Sequence, residues 1–176
     1  MKKIVTFLFV LFTIPSFAQE IAVKTNAAYW VTTTLNIGAE LAIAPRMTLD
    51  ITGNYNPFVF RDNKKIMHWA VQPEWRYWTC QRFMSHFFGV HLHYGRYNAG
   101  LEKYRYKGWL VGGGVSYGYQ WLLGKRWNLE AELGLGYAYL SYDKYCRSAC
   151  GKRIGPGHKN YVGPTKFSIS ILYVIR

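Results

Sequence analysis

Apolar and polar residues alternate along most of the chain. Between Asn128 and Leu140 it reads NLEAELGLGYAYL. Leu129, Ala131, Leu133, Leu135, Tyr137 and Tyr139 form one set, and Asn128, Glu130, Glu132, Gly134, Gly136 and Ala138 the other. Successive side chains of a strand point to opposite faces, so this stretch predicts a strand with one greasy, aromatic face. Its other face carries carboxylates and glycines.

The same period recurs, and helical spacing hardly appears. A weakly patterned first strand has Lys24 and Asn26 on one face. Leu35, Ile37, Ala39, Leu41 and Ile43 then oppose Asn36, Gly38 and Glu40, and Pro45-Arg46 marks a tight turn. Leu49, Ile51, Gly53 and Tyr55 oppose Thr48, Asp50, Thr52 and Asn54. After a loop, NPFVFRDNKKI, a fourth strand sets Trp69, Val71, Pro73, Trp75 and Tyr77 against His68, Ala70, Gln72, Glu74 and Arg76. Pro73 lacks an N–H for the ladder, which predicts a bulge there.

Beyond the connection TCQRFMS, Phe88, Val90, Leu92 and Tyr94 oppose Gly89, His91, His93 and Gly95. A loop NAGLEKYRYKG leads to Trp109, Val111, Gly113, Val115, Tyr117, Tyr119 and Trp121 against Gly112, Gly114, Ser116, Gly118 and Gln120. LGKRW turns into the opening stretch. The longest loop, DKYCRSACGKRIGPGHKNYVGP, precedes a final strand, KFSISILYVIR. Eight strands are expected, joined alternately by short and long connections. Antiparallel strands joined this way collect the short turns at one end and the long loops at the other, the asymmetry of outer-membrane barrels.

Eight antiparallel strands close into a barrel that leaves no free edge in a bilayer. The composition of the two faces decides which one looks inward. A soluble, lipocalin-like carrier would turn the apolar face to a ligand and cover the other with charge. Here the polar face is mostly Gly, Ala, Ser and Asn with isolated charges, which a narrow eight-stranded interior can hold. The opposite face has Leu, Ile, Val, Trp and Tyr with scarcely a charge, and aromatics gather near both strand ends, as interfacial girdles do. The expectation is a single all-β domain, an eight-stranded antiparallel up-and-down transmembrane β-barrel over residues 19–176.

Residues 1–18 read as a cleaved signal peptide. A basic MKK start, an apolar run IVTFLFVLFTI and a small-x-small site at Ser16-Phe17-Ala18 follow the order of such leaders. That apolar run is shorter than the ~20 residues a membrane helix needs. Export implies an oxidising compartment, so Cys146 and Cys150 are candidates for a disulfide, with three unpaired thiols as the alternative. Cys80 lies in a short turn and is therefore expected at the opposite end from both. The formal charge of +13 suggests anionic lipid head groups as partners; export argues against nucleic acid.

Signal peptide, eight alternating strands, long loops on one side and the aromatic-bearing closing strand KFSISILYVI resemble the small outer-membrane barrels of the OmpX and OmpA transmembrane-domain type. The stretches KTNAAYWVTTTLNIGAELAIAPRMTLDITGNYNPF, WAVQPEWRYW and FFGVHLHYGRYN are also similar to a family of uncharacterised exported proteins of Gram-negative bacteria. These resemblances imply fold and outer-membrane location and bring no catalytic residues. Such barrels typically end on an aromatic residue, whereas this chain ends Ile175-Arg176, which leaves Tyr173 to serve.

The polar face gathers the candidate chemistry. Lys24, Glu40, Asp50, His68, Glu74, Arg76, His91, His93, Glu130, Glu132 and Lys166 are expected to form a lumen network that plugs the barrel, because buried charges must be paired. His91 and His93 share a face and could bind a metal with His68 or Glu74; neutral imidazoles bonded to carboxylates are the simpler reading, and no cofactor is expected. A lipid-modifying enzyme would need a Ser–His pair with an orienting acid; Ser85-His86 and Ser116 are available, without a spacing that places a partner.

The long loops carry Arg61, Lys64, Lys65, Lys103, Arg105, Lys107, Lys144, Arg147, Lys152, Arg153 and Lys159 against Asp62, Glu102 and Asp143. With interleaved aromatics, as in KYRYKGW, they predict a basic outer surface for lipopolysaccharide or a surface protein partner.

Overall fold

The computed structural model describes residues 20–58, 65–100, 104–146 and 151–175, the Lys65 side chain excepted. It contains β1 (Ile21–Asn26), α1 (Ala27–Val31), β2 (Leu35–Ala44), β3 (Met47–Asn56), β4 (Lys65–Trp78), β5 (Ser85–Gly100), β6 (Tyr104–Leu122), β7 (Trp127–Cys146) and β8 (Arg153–Ile175). Each strand pairs antiparallel with its sequence neighbours, and β8 pairs with β1, so the eight form a closed, up-and-down ring. Pro45-Arg46, Thr79–Met84 and Leu123–Arg126 join strands at one end, the turn end; the loop end lies opposite.

The alternation predicts the faces correctly. Glu40, Asp50, Glu74, Arg76, His91 and Glu130 point into the ring and are at most 1 % exposed, while Ile37, Leu92 and Val115 point out and are more than 60 % exposed. Polar inside and apolar outside is the reverse of a lipocalin-like arrangement.

Strand length departs from expectation. Asn98–Gly100 and Tyr104–Gly108 of NAGLEKYRYKG, and most of DKYCRSACGKRIGPGHKNYVGP, are paired strand, so β5 ends at Gly100 with β6 starting at Tyr104, and β7 ends at Cys146 with β8 starting at Arg153. Alternation fails as a signal here because both faces carry polar and aromatic residues. The ladder continues through this stretch, with the rings of Tyr106 and Tyr142 meeting edge-on, 5.2 Å apart.

Pro73 does not make a bulge. It stays in register opposite Ile51, and only the β5 side loses ladder pairs, between Val71↔Tyr94 and Glu74↔His91. A proline removes one donor, and that donor pointed toward one neighbour only. A bulge occurs instead on β8, where Gly134 opposes Lys166 and Leu135 opposes Pro164. Thr165 is the extra residue, and its hydroxyl reaches His91 inside the ring.

β8 outruns β1. Pairing stops at Asn26↔Ser170, and the Asn26 side chain continues it, accepting from the Ile169 N–H (3.1 Å) and donating to the Phe167 carbonyl (3.2 Å). Beyond that, among the described residues, no strand pairs with the β8 edge away from β7. Pro156 and Pro164 fall on this stretch, where a missing donor costs no ladder bond if it faces outward.

The interior has two parts. At the turn end, Trp78, Phe83 and Phe87 pack together, with ring centroids 4.8 Å (Trp78–Phe87) and 6.1 Å (Trp78–Phe83) apart. The turn Thr79–Met84 folds under the ring to insert Phe83, whose φ is +61°, followed by Ser85 at +73°. Left-handed backbone in non-glycine residues costs roughly 1–3 kcal/mol each. Burying a phenylalanine is worth about 1.5–3 kcal/mol, enough to offset one of them. Ala22, Leu172 and Val174 pack with Phe83 in a small apolar cluster, and most of the remaining buried side chains are polar or charged.

Candidate functional site

Arg76 is the hub of the interior. Its Nε donates to Glu74 (2.7 Å), Nη1 to Glu40 (2.9 Å) and Glu130 (2.8 Å), and Nη2 to Glu132 (2.8 Å); Asp50 lies 3.4 Å from Nη2. One guanidinium thus meets carboxylates from β2, β3, β4 and β7, using the planar fork that only arginine offers. Its cationic face also rests on the Phe87 ring, 4.4 Å from the centroid, which joins the ionic layer to the aromatic one.

Two lysines complete the cluster. Lys24 pairs with Asp50 (2.7 Å) and Glu130 (3.3 Å), and Lys166 with Glu74 (2.6 Å) and Glu132 (3.1 Å). Five carboxylates therefore surround three cations. Thr48 donates to Glu40 (2.5 Å) and receives the Trp78 indole N–H (2.9 Å); Ser116 donates to Glu74. Thr48 and Ser116 were legible as inward positions of their strands, but their partners come from other strands and had no local signal. Interior glycines make room: a Cβ at Gly118 would strike the Phe87 ring, and one at Gly89 the Glu74 carboxylate.

The expected histidine pairing is corrected. His91 bonds the Thr165 hydroxyl (2.9 Å) rather than a carboxylate, and the His93 ring lies tilted beside it, centroids 5.8 Å apart. His68 lies near the loop end, its Nδ1 3.1 Å from the Ile66 carbonyl, outside the ion cluster. No group of three His, Cys, Asp or Glu among the described residues is arranged to hold a metal. Ser116 faces inward, whereas His86 faces outward and meets the Tyr117 hydroxyl at 2.6 Å, so they form no pair.

Over the loop end, α1 sets Tyr29 beside a water-sized space shared with Lys24, Asn36 and Lys166. Burial raises the Tyr29 phenol above its ordinary pKa.

The predicted basic residues do not share one surface. Arg105 and Lys107 follow the outward set of β6, with the Arg105 guanidinium 5.1 Å from the Tyr145 ring centroid. Lys144 and Lys159 follow the inward set of β7 and β8, and the Lys144 ammonium lies 3.8 Å from the Tyr104 centroid. Arg153 is tied to Asp143 at 2.6 Å, and Lys152 is exposed. Arg61, Lys64, Lys103, Arg147, Cys150, the Lys65 side chain and the leader 1–18 lie outside the described residues. Cys80 and Cys146 are free thiols at opposite ends of the ring.

One cation on the outward face escaped the sequence reading. Arg96 sits in the outward set of β5, directly opposite Trp69 on one side and Trp109 on the other. Its signal was a lone cation ending the run Phe88, Val90, Leu92, Tyr94.

No curated protein and no solved structure matches the chain. A family model described as "Protein of unknown function (DUF3575)" matches residues 4–175, nearly the whole length, and the chain belongs to that family.

Proposed function

We propose that this protein is a transmembrane barrel of an outer membrane, with a plugged lumen, acting as a scaffold that presents a basic, aromatic surface to envelope glycolipid or a protein partner. One observation carries the reading. The outward face is apolar and the interior is ionic, an arrangement that is costly in water and stable in hydrocarbon.

Other features agree. A strand needs ~9–11 residues to cross a bilayer, and β2 and β3 have ten each. Outward aromatics form a row near the loop end, where Trp69 packs edge-on to Tyr94 and Trp109 tilts onto Tyr139, both at 5.7 Å. A second group near the turn end includes Tyr119, Trp121, Trp127 and Tyr173. Between them lie Val71, Leu92, Val111, Val115, Leu133 and Leu135, all at least 40 % exposed. Aromatic belts flanking an apolar band suit the two interfaces of a membrane. The Arg76 cluster fills the lumen, which favours a scaffold over a pore.

The experiment is a comparison of unboiled and boiled protein, extracted from washed outer membranes, on a denaturing gel. A compact unboiled band that shifts on heating is expected. Soluble periplasmic protein with no shift would overturn the proposal.

A further inference from the structure

The outward face of β4–β6 carries a feature that general basicity does not explain. Tyr55, Trp69, Arg96 and Trp109 are direct cross-strand neighbours in that order, so one cation is set into a row of rings. One step toward the loop end, Asn98 opposes Lys107 on the same face. Tyr55, Met67, Trp69, Arg96, Asn98 and Lys107 border a cleft of about 190 Å³ whose walls are mostly apolar.

Arg96 and Lys107 make no ion pair among the described residues; Asp143, directly across from Lys107, pairs with Arg153. The Asn98 Oδ1 is buried without a hydrogen-bond partner among the described residues. Two cations that pair with no described carboxylate and an acceptor with no described donor, gathered at one apolar cleft, suit an anion that also brings a donor. Toward the turn end the same face is largely apolar as far as Phe88. Val71, Leu92 and Val111 lie next, and then a groove of about 450 Å³ walled by Trp75, Phe88, Val90 and Val115. Val90 lies six positions from Arg96, roughly 20 Å along a strand.

We propose that Arg96 and Lys107 form the headgroup site for a phosphate-bearing amphiphile whose acyl chain lies down the β4–β6 face. Arg96 offers its fork to two phosphate oxygens and Lys107 a point charge to the third. Asn98 accepts from a headgroup hydroxyl, and Trp69 and Tyr55 shield these bonds from water. The apolar groove then discriminates an amphiphile from free phosphate. This inference rests on the membrane reading above, since it needs the outward face to meet lipid.

The test uses the full chain folded in a neutral, phosphate-free maltoside detergent, with bound ligand counted by native mass spectrometry. The probes are a lysophosphatidate, the monoacylglycerol with the same chain, and inorganic phosphate. One lysophosphatidate per chain is expected, at least tenfold tighter than either other probe. The R96Q/K107Q variant should lose tenfold or more, while R126Q, at the turn end, keeps wild-type binding. Equal binding by R96Q/K107Q, or by monoacylglycerol, would overturn the site. Inorganic phosphate binding as tightly as the lipid would assign the cleft to a free anion and overturn the amphiphile. Heat-shift gels of each variant separate the two readings: a compact unboiled band without lipid discrimination sinks this inference alone, and a missing band in the wild type sinks both.

Discussion

Arg76 on β4 and Glu130 on β7 meet across the lumen in a two-pronged contact, Nη1 to Oε2 at 2.8 Å and Nη2 to Oε1 at 3.2 Å. The two strands are not neighbours in the ring, so the pair spans the interior and ties opposite walls together. Because Arg76 also reaches Glu40, Asp50, Glu74 and Glu132, its loss would leave buried carboxylates without their main counter-charge.

Arg76→Met is accordingly expected to destabilise strongly. Removing one partner of a buried ion pair typically costs about 3–5 kcal/mol. The check is the urea midpoint of the heat-shifting band. An unchanged midpoint would mean that the cluster is decorative.

The excess of carboxylates makes a signed prediction. With five acids around Lys24, Arg76 and Lys166, a neutral isostere at an acid relieves repulsion, and one at a cation worsens it. Glu132→Gln keeps an oxygen to accept from Arg76 and is expected to leave stability equal or higher. Lys166→Gln is expected to lower it by about 3 kcal/mol or more. Equal losses from the two variants would contradict this account of the charge balance.

Gly118 tests the packing of the interior. A Cβ there would collide with the Phe87 ring and come within 2.9 Å of the Ala131 carbonyl, whereas nothing lies within 4 Å of one at Gly124. Gly118→Val should cost about 1–3 kcal/mol, as overpacking does. Gly124→Ala, in the turn before β7, should be neutral. Yields of folded, heat-shifting protein compare the two directly.

Cys80 and Cys146 report orientation. They lie at opposite ends of the ring, so a membrane-impermeant maleimide on whole cells should label a variant whose sole cysteine is Cys146. A variant with Cys80 alone should label only after the outer membrane is permeabilised. Labelling of both on intact cells would contradict a spanning barrel with its turns inside.

How much of this was legible follows from which physical signals are local. Alternation is local, since the pleat fixes side-chain direction at every second residue. The inward set of Lys24, Glu40, Asp50, Glu74, Arg76, Glu130, Glu132 and Lys166 could therefore be read directly, and so could the greasy outward set. Strand ends were not legible. Tyr104–Lys107 and Arg153–Val162 carry polar residues on both faces, and only pairing with a neighbouring strand reveals them as sheet.

The sequence by itself determined which residues face in and which face out, because a period of two allows no other division once the strands exist. Tertiary structure decided the rest, because those choices depend on residues far apart in the chain. The bulge that turns Thr165 toward His91, the insertion of Phe83 by a short turn, and the gathering of five carboxylates around Arg76 all needed the ring to close. So did the setting of Arg96 between Trp69 and Trp109, whose register is fixed only when three strands align.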